Sequence, residues 1–170
     1  MYRIGRLRLY LAIFAVLILE STAFHSLNFG NTRPNLMLVF VIFVGLYSDW
    51  QEALEAGIAG GLLRGALSTG AVGVSLSIFS MASLIAAYSK NKVFRESFLT
   101  QIALSFSIAL VFNAAVVMSW RIVKTVEMIN VTIRDIVVSK AVLISLYTAL
   151  ITPLSFFFFK RVLRVREPGF

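Results

Sequence analysis

The chain has 170 residues, of which 59% are hydrophobic and 14% charged, with a formal net charge of +8 and a mean hydropathy of +0.88. A soluble domain of this size carries about a quarter charged residues, so the composition argues against a soluble protein and for one domain solvated mostly by lipid. No cysteine is present, which excludes disulfides and cysteine-based metal or redox chemistry, and the single histidine, His25, cannot build a metal site alone.

Six apolar stretches follow in chain order, at roughly 7–24, 34–48, 52–68, 73–89, 98–120 and 136–159. They are long and continuous rather than alternating, which selects helices over barrel strands. In hydrocarbon every backbone N–H and C=O must be paired internally, and a helix does this within itself. The expected fold is therefore all-α: a polytopic membrane protein, one compact bundle of six transmembrane helices. The first stretch, led by Arg3, Arg6 and Arg8, has the form of a signal peptide with small residues at Ser21 and Ala23. Its length, and the topology downstream, favour an uncleaved first span.

Ten of the sixteen basic residues fall in three places: the N-terminal tail, the 90–95 connection with Lys90, Lys92 and Arg95, and the C-terminal tail with Lys160, Arg161, Arg164 and Arg166. A six-helix path puts all three on one side, so the positive-inside rule makes both termini cytoplasmic. The same distribution, at helix ends and without a basic stripe, argues against nucleic acid as the partner. Trp50, Trp120 and the run Phe156 to Phe159 read as membrane-interface anchors. The outer connection 121–135 repeats Ile122, Val126, Ile129 and Ile133 at helical spacing, as a helix lying in the interface would. It serves either as a linker on the bilayer or as a partner surface.

The third stretch carries Ala53, Gly57, Gly61 and Gly65 at intervals of four, one helix face of small residues that lets another backbone come close. The partner of that face is an internal helix or another protein. Arg64 lies on the glycine side. A charge in the membrane costs about 2.5–3.5 kcal/mol on insertion scales, so it needs a partner, and Glu20 sits at a compatible depth. Asn113 and Lys140 enter the same outer layer from the last two stretches. Two readings stay open: a Glu20–Arg64 pair that fixes register, or a polar pocket for an anionic ligand or a partner helix. Glu52 and Glu55 begin the third stretch on the cytoplasmic side, where solvent or headgroups are their expected partners. No phosphate loop, zinc-protease motif or serine elbow occurs, so neither an enzyme nor a cofactor is expected.

Several short motifs occur in a telling order. Glu20-Ser21-Thr22 ends the first stretch, Arg33-Pro34-Asn35-Leu36 opens the second, GLLRGALSTGAVGV covers 61–74, and LYTALITPL covers 146–154 with Tyr147 and Pro153. Their order and spacing over nearly the whole chain resemble the MreD family of rod shape-determining membrane proteins. Departures from that family's pattern are Glu20 where Gln is common, Gly65 where Asp is common and Thr148 where Asn is frequent.

The resemblance implies a non-enzymatic scaffold of bacterial cell elongation in the cytoplasmic membrane. Its implied partners are an MreC-like periplasmic scaffold, an MreB-like filament, a RodA-like glycosyltransferase and a class B penicillin-binding transpeptidase. The alternative is a substrate-binding subunit of an energy-coupling-factor vitamin transporter. Those subunits are also six-helix bundles with a glycine-rich third helix, and the expected fold resembles theirs.

Overall fold

The computed structural model describes residues 5–22, 34–67, 72–90, 97–123 and 131–163, with side chains described for all of these except 116–123 and 131–140. The described residues form six α-helices and no strand: α1 Arg6–Thr22, α2 Leu36–Tyr47, α3 Trp50–Leu67, α4 Val72–Ser89, α5 Phe98–Val123 and α6 Val131–Val162. Three of them, α4, α5 and α6, contain stretches long and apolar enough to cross a membrane: Val72–Ser89, Phe98–Ala115 and Ala141–Val162. These are the dimensions of a helical membrane protein.

The organising element is α2. Its sequence, LMLVFVIFVGLY, is apolar on every side, and every residue from Leu36 to Leu46 is buried. A helix without a polar face has nowhere to go but the centre. Asn35 starts it as N-cap, its side chain accepting from the Leu38 N–H at 3.0 Å. Extended backbone at Ser48 ends it, and α3 begins two residues later at Trp50. At a 1.5 Å rise its 12 residues run about 18 Å, well short of a hydrocarbon core of about 30 Å. α2 begins and ends inside the bundle, where protein rather than lipid surrounds its ends.

The other helices stand around α2. α1 packs on α2 and α3, α3 on α4, α4 on α5, and α5 on α6, which returns to α2. Among the described residues the backbones of α1 and α6 do not approach closely, and side chains close over α2 between them, since Met37 to Val44 are all fully buried. Contacts at the ends show the helices running alternately up and down. Arg6 meets Glu55, Lys90 meets Ser48 and Lys160 meets Tyr47 at one end, while Glu20 meets Arg64 and Asn113 meets Ser145 at the other. The two ends are called here the Arg6 end and the Arg64 end.

The glycine face of α3 is turned inward onto α4. A Cβ at Gly57 would stand 2.9 Å from the Phe79 carbonyl oxygen, one at Gly61 2.8 Å from Leu76 Cα, and one at Gly65 2.9 Å from Val72 Cα. Ala53, which extends the row, is fully buried. α4 therefore lies on α3 backbone to backbone, and Gly45 of α2 brings the Ser83 carbonyl and Ala86 equally near. Gly60 differs, since its nearest neighbour is the flexible end of Met37, at 3.3 Å. Gly57→Ala and Gly61→Ala are expected to destabilise the bundle by roughly 1–3 kcal/mol through forced backbone movement. Gly60→Ala is expected to be neutral or stabilising, because Met37 yields and alanine favours the helix. Thermal melts of the three variants in one detergent check the order.

Two expectations need correction. The run 156–159 is not one anchor: Phe156 and Phe159 are buried, and only Phe157 and Phe158 are exposed. A helix turns successive residues to different sides, so the run supplies two core rings and two outward ones. The connection 121–135 is not a separate interfacial helix over its described part, because 121–123 continue α5 and 131–135 open α6. Val126 and Ile129 lie outside the described residues. Trp50 is exposed at the Arg6 end, whereas the side chain of Trp120 lies outside the described set.

Candidate functional site

The polar groups of the Arg64 end gather around the N-terminus of α2. Glu20, in the last turn of α1, forms an ion pair with Arg64 through one carboxylate oxygen. Its other oxygen accepts from the Met37 backbone N–H at 3.1 Å. The first N–H groups of a helix lack internal acceptors and carry its positive dipole end, so the carboxylate meets two positive partners. Glu20 is nearly buried, while the Arg64 side chain keeps 37% of its surface exposed.

A second set of bonds continues from the same helix start. Asn35, itself buried, donates its N–H to Thr148 Oγ1 at 3.2 Å, and Thr148 returns its own proton to the Ile144 carbonyl at 2.7 Å. One turn away on α6, Ser145 Oγ accepts from Asn113 Nδ2 at 2.9 Å and donates to the Ala141 carbonyl. Polar side chains from α1, α3, α5 and α6 thus share one level with the α2 N-cap.

Of the expected layer, Glu20 and Arg64 meet directly. Asn113 is engaged with Ser145 instead, and the side chain of Lys140 lies outside the described residues. Arg33 also lies outside them, while Pro34 and Leu36 are buried beside Asn35. Tyr147 and Pro153 are half-buried on α6. Proline lacks the N–H that would reach the carbonyl of residue 149, and the Thr152 hydroxyl bonds the adjacent Thr148 carbonyl at 2.9 Å. Sequence reasoning missed Ser145 and the Met37 N–H. Ser145 offers no signal beyond its three-residue spacing from Thr148, and a backbone donor has no side-chain signature.

The Arg6 end mirrors this arrangement with opposite charge. Lys90 donates to the Ser48 carbonyl at 3.1 Å, and Lys160 lies 5.0 Å from the centre of the Tyr47 ring. Both cations stand at the negative end of the α2 dipole. Glu52 and Glu55 depart from the solvated role expected of them. Glu52 is buried and accepts from the Ser48 hydroxyl, and Glu55 pairs with Arg6 at 3.4 Å. Both ends of one short helix are therefore held by complementary charges, from α1 at its start and from α6 and Lys90, the residue after α4, at its end.

Among the described residues no three His, Asp or Glu side chains gather as metal ligands. The arrangement positions helices, and the Arg64 side chain within it stays partly exposed. No protein-family model matches the sequence, and no curated protein or solved structure matches it either.

Proposed function

We propose that this chain is a non-enzymatic scaffold of the bacterial cell-elongation machinery, an MreD-like six-span protein of the cytoplasmic membrane with both termini in the cytoplasm. One observation carries the reading. The four stretches quoted for the resemblance lie far apart in sequence, yet Glu20, Asn35, Arg64 and Thr148 converge on the start of α2. Motifs that converge to fix helix positions suit a protein whose work is to hold a shape and present it. In this role the bundle docks beside an MreC-like scaffold, a RodA-like glycosyltransferase and a class B transpeptidase, and its basic end faces an MreB-like filament.

The test is depletion of the protein in its native bacterium with cell shape scored in rich medium. Rods that swell or round up before growth stops are the expected result. Normal shape, with growth failing only when a vitamin is scarce, would overturn the scaffold and favour the vitamin-transporter subunit.

A further inference from the structure

The exposed aromatic side chains gather at one end of the bundle. Tyr10, Trp50, Tyr88, Phe98 and Phe158 are all about half exposed or more. They stand on α1, α3, α4, α5 and α6, each within the five residues nearest the Arg6 end of its helix. Phe157 lies beside Phe158, and among the described residues only Phe14, midway along α1, breaks the pattern. Arg6, Arg8 and Arg161 are exposed just outside the rings.

This placement decides what the rings meet. They occupy all five helices that surround α2. A partner protein covers one or two helices of a bundle, whereas a bilayer meets every one of them at one level. Tyrosine and tryptophan join an apolar ring to a polar tip, which suits the boundary between hydrocarbon and headgroups. Arginines beyond that boundary reach lipid phosphates. At the Arg64 end the large apolar side chains that stand exposed are aliphatic, Leu19, Leu67, Val72 and Val142 among them. Trp120 is the anchor the sequence offers there, against rings on five helices at the other end. α3 runs 18 residues from Trp50 to Leu67, about 27 Å at 1.5 Å per residue, and a hydrocarbon core is about 30 Å thick. With Trp50 among headgroups, Leu67 stops close to the opposite boundary.

We propose that these rings form a collar that docks into the headgroup layer of one leaflet and sets the depth of the bundle. The Arg6 end stays in register with its own leaflet, and the Arg64 end takes up differences in bilayer thickness. The partner recognised is a lipid surface, a layer of phosphates beside hydrocarbon. The collar needs only a bilayer around the bundle and is independent of any role in wall synthesis.

The experiment uses the full chain in vesicles of short-, medium- and long-chain phosphatidylcholine. The chain has no cysteine, so single cysteines carry nitroxide labels without background. Gln51→Cys reads the Arg6 end and Leu67→Cys the Arg64 end, both at exposed positions of α3. Depth is measured from collisions with oxygen and with a water-soluble nickel chelate. The label at position 51 is expected to lie among headgroups at every chain length. The label at position 67 is expected to lose nickel contact several-fold from the thinnest bilayer to the thickest. In the background Tyr10→Leu/Trp50→Leu/Tyr88→Leu, whose three positions are exposed so that the bundle still folds, the label at position 51 is expected to drift with thickness as well. Equal shifts of the two labels in the parent, a label at position 51 buried in hydrocarbon, or an undisturbed depth after loss of the three rings would each overturn the collar.

Discussion

Glu20→Gln is expected to damage this protein more than Arg64→Gln, although the two residues form one ion pair. With Arg64 gone, the Glu20 carboxylate keeps the Met37 N–H and the positive end of α2. With Glu20 neutral, the Arg64 guanidinium stands beside that same positive end without a counter-charge. Removing one partner of a buried pair costs about 3–5 kcal/mol. Partial exposure of Arg64 lowers this to about 3 kcal/mol for Glu20→Gln, and the second positive partner of Glu20 lowers it to about 1 kcal/mol for Arg64→Gln. Melting temperatures in detergent, with accumulation in the membrane as a second readout, check the order. Equal losses would mean that α2 contributes nothing to holding the carboxylate.

The same geometry changes what a charge swap can show. For an isolated pair, Glu20→Arg with Arg64→Glu restores the attraction, and the double variant recovers. Here the swap points a guanidinium at the N–H groups of α2, where it can only donate and finds donors. The double variant is expected to remain impaired even though the pair is real. Glu20→Asp is the better probe of the three-way contact: it keeps the charge but shortens the reach, and it is expected to cost less than Glu20→Gln.

How legible this was in the sequence depended on the range of the interaction. The helices could be read from continuous apolar runs, because lipid imposes a simple rule on every residue. The glycine face could be read from a spacing of four, since small residues at that interval serve close approach. Glu20 and Arg64 could be paired because a charge at that depth must find a partner. The sequence did not show that α4 takes the glycine face, since a helix partner depends on the whole path. Nor did it show that α2 is central, although its lack of a polar face, unlike that of α1 or α3, was the available clue. Asn35 was visible only as part of a motif, and its task as N-cap became clear once the Leu38 N–H and Thr148 were placed around it.

Phe43→Ala is expected to be among the most damaging single changes in the chain, and Phe158→Ala among the mildest of its aromatic substitutions. Phe43 is fully buried, and its ring lies 4.8 Å from Tyr47, 5.2 Å from Phe156 and 5.6 Å from Phe159. Phe40 joins the same group through Phe159 at 5.2 Å, edge to face. In a membrane protein the hydrophobic effect drives chains into lipid but does not favour one apolar neighbour over another. Between the Asn35–Thr148 bond at one end and Lys160 over Tyr47 at the other, α6 is held on α2 by shape and ring geometry, worth about 0.5–1.5 kcal/mol per aromatic pair beyond burial. Truncating Phe43 removes several such pairs and leaves a cavity where α2 meets α6, a loss of about 3–5 kcal/mol. Phe158 is half exposed, so lipid refills its space and the cost is expected to stay within about 0.5 kcal/mol. Detergent melts of the two variants decide the matter. Phe159→Ala should group with Phe43→Ala although it adjoins Phe158 in the sequence, because the turn of the helix, rather than position in the aromatic run, determines which ring is packed.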